Sequence, residues 1–215
     1  FGRGPSYRLD AEVLRDMALW SSKLLDPTMG GEGVKPYQPP GMWKELMHPG
    51  SNTKNYVADK GSRLYRRSLY VYWKRTSPHP MMTLFDAPSR EASCVRRSRT
   101  NTPLQSLALF NEPQRVEAAR KLAERLIKEQ KGDDARLDLL FTLVASRKPS
   151  ATEREACSKL LQSQRNRLAD KAEDAAALLK IGDAPKDPDL DPMEVAAWTQ
   201  VAGTALASDL SILLY

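Results

Sequence analysis

Apolar residues recur along most of this chain at the three- and four-residue spacing of a helix face, and most of these runs open on a start signal. Ala11 to Leu25 places Val13, Leu14, Met17, Leu24 and Leu25 on one face, with Asp10 before it as a cap. "TPLQ" sets Thr102 as cap, Pro103 at the first helical position and Gln105 three residues after the cap, the pattern of a capping box. That helix runs to about Phe110 and stops before Pro113. The next, about Pro113 to Gln130, keeps Val116, Ala119, Ala123, Leu126 and Ile127 in register and ends at Gly132. "LDLLFTLVAS" makes the helix over about Asp134 to Ser146 nearly all apolar, and so deeply buried. Ser150 and Glu153 form a second capping box, opening one long, largely polar helix to about Lys180. Asp191, Pro192 and Glu194 open a last helix through Trp198 to about Ala207.

Two stretches lack this periodicity. Residues 26–62 are dense in glycine and proline, an irregular segment that Tyr37, Met42 and Trp43 would pin to the core. Residues 76–100 are also loop. Between them, "RLYRRSLYVYWKRT" fits a helix over 63–75 through Leu64, Tyr65, Leu69, Tyr72 and Trp73, which collects its arginines on the opposite face. Leu69, Val71 and Trp73 would alternate on a strand, and the helix is preferred. The expected fold is mainly α: a single helical domain over 1–215, with six to seven helices and a long irregular segment near the N-terminal third.

Composition adds compartment and charge. The 215 residues, 41% hydrophobic and 28% charged, are those of a folded domain, with no apolar run long enough to span a bilayer. The N-terminus shows no apolar signal region, and a helix signal begins so soon that the chain reads as the C-terminal part of something longer. The net charge of +6 is uneven: residues 60–99 hold 10 Lys/Arg against 2 Asp/Glu. Cys94 and Cys157 are far apart, with no CxxC or Cys/His cluster, so they read as two unrelated thiols, and neither a zinc site nor a covalent haem is expected in this chain.

The candidate chemistry lies in that basic window: Arg66, Arg67, Tyr70, Trp73, Arg75, Arg90, Arg96, Arg97 and Arg99. Guanidinium forks suit carboxylates, phosphates and sulfates, and an aromatic ring beside them could stack on a sugar. An anionic glycan is therefore a candidate ligand. The competing reading is structural: arginines just before the Thr102 helix can bind helix-end carbonyls and pair with Asp86 or Glu91. On that division Arg96 and Arg97 are structural, while Arg66, Arg67 and Arg75 face solvent. Nucleic acid is disfavoured, since no nucleic-acid motif accompanies the interleaved aromatics. His48 and His79 each stand alone between or near prolines and read as loop residues. No P-loop, dinucleotide fingerprint or nucleophile elbow is present.

"RRSLYVYWKRT", "FDAPSRE", "VRRSRTNTPLQSLALFNEP" and "VEAARKLAERL", together with "RLDAEVLRDMAL", "GGEGVKPYQPPGMW" and "AAWTQVAGTAL", resemble the planctomycete PSD family along the whole chain. The resemblance implies a domain of unknown function at the C-terminal end of large exported bacterial proteins, periplasmic or otherwise outside the cytoplasm. Their upstream domains often include a c-type cytochrome, so any haem belongs there and no cofactor is expected in this chain. The reading adopted is a binding or interaction module that partners those upstream domains beside redox or glycan-processing machinery. The alternative is a glycan-active or oxidative enzyme with its site on the 26–100 loops. The family supplies no catalytic residues, and the chain departs from it at "GGEGV" and in the position of Cys94.

Overall fold

The computed structural model describes residues 6–45, 50–51 and 54–214; His48 lies outside them. Among the described residues, a strand β1 (Tyr7–Arg8) leads into α1 (Ala11–Ser21), and a short α2 (Met42–Glu45) lies within the glycine- and proline-rich stretch. Two 3-10 turns (Gly61–Tyr65 and Ser68–Tyr70) precede α3 (Pro80–Leu84). Then come α4 (Pro103–Asn111), α5 (Pro113–Glu129), α6 (Asp133–Ala145), α7 (Ala151–Ala169), α8 (Ala172–Leu178), α9 (Pro192–Ala207), α10 (Asp209–Ile212) and β2 (Leu213–Leu214). The fold is mainly α, as the periodicity indicates, and seven of the ten helices among the described residues have seven residues or more.

The start signals act as chemistry. Ser150 Oγ accepts from the Glu153 amide at 3.3 Å, and the Glu153 carboxylate accepts from the Ser150 amide at 2.8 Å. Asp191 accepts from the amides of Met193 and Glu194. The Thr102 box forms with one half as a hydrogen bond of good geometry. Gln105 Oε1 accepts from the Thr102 amide at 3.3 Å, while the Thr102 hydroxyl closes no hydrogen bond of good geometry. The Gln105 amide also donates to the Leu84 carbonyl at 2.8 Å, so this residue ties α4 to α3.

The main core forms where α5 packs along α9. Small residues on both helices (Ala118, Ala119 and Ala123 facing Ala196, Ala197, Ala202 and Ala205) let the axes approach closely. Trp198 and Phe141 fill the space that α6 and α7 close over. A smaller cluster joins Ala11 and Leu14 of α1 to Val71, Met82, Phe85 and Leu109. On α1 the buried face is Ala11, Leu14, Ala18 and Leu19; Val13, expected on it, is exposed. β1 and β2 pair antiparallel, Tyr7 opposite Leu214 and Arg8 opposite Leu213, a strand pair too short for the sequence pattern to show.

Two expected helices are corrected. Residues 63–75 are not a helix but the two 3-10 turns, extended beyond Tyr70, where Val71 bridges to Val34. The backbone groups a helix would use are taken by side chains. Arg15 and Gln114 both donate to the Leu64 carbonyl at 2.8 Å, Arg15 also binds the Arg66 carbonyl, and Asp16 accepts from the Ser68 amide. The long polar helix from Ala151 breaks at Asp170–Lys171, where Lys171 takes φ −137 and ψ 59. The break turns α8 back so that Ala175 and Leu179 reach the main core.

Three arginines are buried in the helical body, outside the basic window: Arg15 on α1, and Arg115 and Arg120 on α5. Arg115 donates to the carbonyls of Leu14, Leu109 and Leu206, the last two in the final turns of α4 and α9, whose carbonyls lack intrahelical partners. Arg120 pairs with Glu124 at 2.8 Å and donates to the Ala184 carbonyl. The two thiols are free, with Cys157 half-buried; Cys94 is exposed on the 86–101 loop.

Candidate functional site

The basic window does not gather into one site. Arg66 is buried: its guanidinium lies over the Tyr70 ring, 4.0 Å from its centroid, and donates to the carbonyls of Thr28, Gly30 and Glu32. Tyr70 completes that clasp by accepting from the Gly30 amide at 2.7 Å. Arg66 therefore holds the glycine-rich loop, instead of facing solvent on a helix. Arg67 is exposed and reaches the Met29 sulfur. Arg75 is exposed and faces Glu91 at 3.6 Å. Arg90, at φ 62, covers the Trp73 ring at 4.9 Å, so the ring face that would stack on a sugar already carries a cation.

Arg97 grips α1. It binds Glu12 through two nitrogens, at 2.7 and 3.2 Å, and Asp10 at 3.3 Å, charges that also suit a helix N-terminus. Arg99 lies over Tyr7, and Arg96 is exposed. The structural role expected for Arg97 is present with different partners. Asp86 is occupied by Arg8 at 2.6 Å and by the Thr100 amide and hydroxyl.

A groove missed by the sequence analysis runs along residues 79–84 of the 76–100 stretch. Its volume is about 360 Å³. One wall is Tyr37, Gln38 and Pro39; α3 supplies Pro80, Met81 and Leu84; α4 supplies Leu104, Leu107, Ala108 and Asn111, an i, i+3, i+4, i+7 ridge. Leu104 and Leu107 are 62% and 59% exposed, although each is a large apolar side chain on an ordered helix. His79 and Glu112 line the groove and also an adjoining cavity of about 20 Å³, where Arg15, Gln114 and Arg115 are found. The groove is thus mostly apolar, with the polar side chains of Gln38, His79, Asn111 and Glu112 among its walls, the make-up of a ligand pocket. The signal was present in "PLQSLALFN", where apolar residues fall on every face of a nine-residue helix and cannot all be covered.

Electrostatics at the inner edge follow from burial. Loss of solvent holds the His79 ring neutral, its pKa pushed down to about 4 despite its hydrogen bond to Tyr37, with nearby Arg15 adding to the effect. Burial raises the Glu112 carboxyl, against the Gln114 and Arg115 amides and the Arg115 and Arg15 charges that favour its ionised form. The guanidinium of Arg15 is pushed down to about 10 by burial.

A pH dependence follows. The folded pKa of His79 lies below its ordinary 6.5, so the unfolded chain binds more protons between these values. The stability from the neutral ring is whole above pH 6.5 and is lost as pH falls towards 4. Between pH 7 and pH 4.5 the loss is roughly 2–3 kcal/mol. Glu112 contributes with the opposite sign, so the ring is read by difference. The fall in urea midpoint on acidification is expected to shrink in His79→Phe; equal falls in both proteins would exclude the ring as the group responsible.

Among the described residues no cluster of three or more His, Cys, Asp or Glu is arranged to hold a metal, and no helix is long and apolar enough to cross a membrane. Residues 1–161 match a family model described as PSD1, protein of unknown function (DUF1553). No curated protein and no solved structure matches the chain.

Proposed function

We propose, from the premise that this chain belongs to the PSD1 family of proteins of unknown function, that it is an interaction module that docks a partner polypeptide in the α3–α4 groove. The observation that carries this reading is the exposed apolar ridge of α4: Leu104 and Leu107 stand open beside Pro39, Met81 and Leu84 in a groove of ligand size. Among the described residues that line it no nucleophile, base and orienting group stand in a row, and the guanidinium groups of the adjoining cavity, Arg15 and Arg115, are committed to protein carbonyls. The resemblance to planctomycete PSD proteins supports a setting in a larger exported bacterial protein, with upstream domains of redox or glycan-processing type as neighbours and any haem held there. An anionic glycan at Arg67, Arg75 and Arg96 is the weaker reading, since Arg90 covers the neighbouring Trp73 ring.

The test uses Nile red, a neutral dye that fluoresces in apolar surroundings. It is expected to bind the chain saturably, and a Leu104→Lys/Leu107→Lys variant, whose changes lie on exposed positions, should keep the wild-type melting temperature and lose the dye. Undiminished dye binding by a folded variant would sink the assignment of the groove.

A further inference from the structure

Two hydrogen-bond donors converge on one exposed thioether in the glycine-rich loop. The Met29 sulfur lies 3.6 Å from Nη1 of Arg67 and 3.9 Å from the Tyr70 hydroxyl. Met29 is 68% exposed, and of the six methionines among the described residues it alone is exposed. Its neighbours Gly30 and Gly31 have φ of +79 and +81, and Arg66 and Tyr70 hold this backbone through Thr28, Gly30 and Glu32. A thioether is a weak acceptor, so a guanidinium and a phenol gain little from it as it stands. The same pair of donors would bind an oxygen on that sulfur strongly.

We propose that Met29 is a modification site for hydrogen peroxide, and that Arg67 and Tyr70 capture the sulfoxide it forms. A sulfur lone pair attacks one peroxide oxygen, and the S–O bond forms as the O–O bond breaks. The departing hydroxide takes the proton of the transferred oxygen and leaves as water; sulfur loses two electrons and the peroxide gains them. The oxygen is added where a lone pair was, which is also where donors approach a thioether. It carries partial negative charge, so the Arg67 contact becomes a charge-assisted hydrogen bond. Arg67 is exposed, and its long side chain can shift to make room. The Tyr70 hydroxyl accepts from the Gly30 amide at 2.7 Å, which leaves its own proton for the new oxygen. Sulfoxides disrupt apolar packing, but Met29 has little packing to lose and two donors at hand. Peroxide therefore ties residues 67–70 more tightly to the 28–32 loop.

The experiment treats the folded chain with limiting hydrogen peroxide and maps the added oxygen by mass spectrometry of its peptides. Met29 is expected to gain oxygen before Met17, Met42, Met81, Met82 and Met193. Hydrogen exchange then reads the loop. In the oxidised protein the Gly30 amide should exchange about tenfold more slowly, the effect of one charge-assisted hydrogen bond on local opening. Arg67→Ala should still oxidise at Met29 and lose most of that slowing. Met29→Leu, given the same peroxide, should show no change at Gly30. If another of these methionines oxidises first, Met29 is not the site. If Met29 oxidises and Gly30 exchanges as fast as before, or faster, the sulfoxide is not captured. Equal slowing in wild type and Arg67→Ala would remove Arg67 from the role given to it.

Discussion

Arg15→Met is expected to destabilise the protein by roughly 3–5 kcal/mol, the cost of removing one partner from a buried charged network. Arg15 is a helix residue whose head reaches into three segments at once. Its Nε donates to Gln114 at 2.6 Å on α5, one Nη to the Arg66 carbonyl and Ser68 hydroxyl, the other to the Leu64 carbonyl. Methionine matches the volume of its stem but leaves the Arg66 carbonyl and the Gln114 amide oxygen short of a donor. Because these bonds also replace the helical ladder in residues 63–75, that region should loosen first. Chemical denaturation measures the loss, and amide exchange at Val71 and Tyr72 locates it. Arg67→Met, at an exposed position one residue along from Arg66, is the control and should shift stability by no more than about 0.5 kcal/mol. A mild Arg15 variant would mean that the 61–70 turns hold without it.

Gly182→Ala is the second large effect, for a different physical reason. Gly182 has φ +87, and a Cβ placed there would lie 2.2 Å from Cδ of Glu117. Glu117 cannot give way freely. Its side chain is fully buried, and Oε1 accepts from the Tyr65 hydroxyl at 2.9 Å and the Ala184 amide at 2.6 Å. The methyl group therefore meets two costs, a left-handed backbone of about 1–2 kcal/mol and an overpacked contact of about 1–3 kcal/mol. The two are separable. In a Glu117→Ala background the contact cost disappears, and Gly182→Ala should there cost only the backbone part. The same loss in both backgrounds would show that the close approach to Glu117 is not its source.

What could be read from the sequence was local, and what could not was made by side chains meeting across the chain. Ser150 with Glu153 and Asp191 with Glu194 need only their own turn, so their spelling sufficed. The turns at 61–70 depend on Arg15 and Gln114, 49 and 50 residues away from Leu64, and no period in "RLYRRSLYVYWKRT" encodes those bonds. Charge counting misplaced the buried cations for the same reason. It drew attention to residues 60–99, where Arg67, Arg75 and Arg96 remain in solvent, while Arg15 on α1 and Arg115 and Arg120 on α5 are buried. The candidate groove followed that pattern: the excess of apolar residues on α4 was visible, but His79 and Gln38 join it only through the 37–39 and 79–80 backbone. The family match stops inside α7, yet α9 beyond it supplies half of the α5–α9 core.

The β1–β2 pair has a mechanical consequence. Its two outer ends, Tyr7 and Leu214, face each other across one register position. Where neighbouring chain continues on both sides, tension would enter and leave at that one point. Such a load peels an antiparallel pair bond by bond and does not shear it, because the hydrogen bonds lie across the strands and are opened singly. Tyr7 with Leu214 would part first, then Arg8 with Leu213, then the bond from the Leu9 amide to the Ile212 carbonyl. Arg8 is also what holds Asp86, and Asp86 holds the Thr100 amide two residues before the α4 cap. Opening of this pair would therefore loosen the Arg8–Asp86 contact and, through the Thr100 amide, the segment that leads into α4.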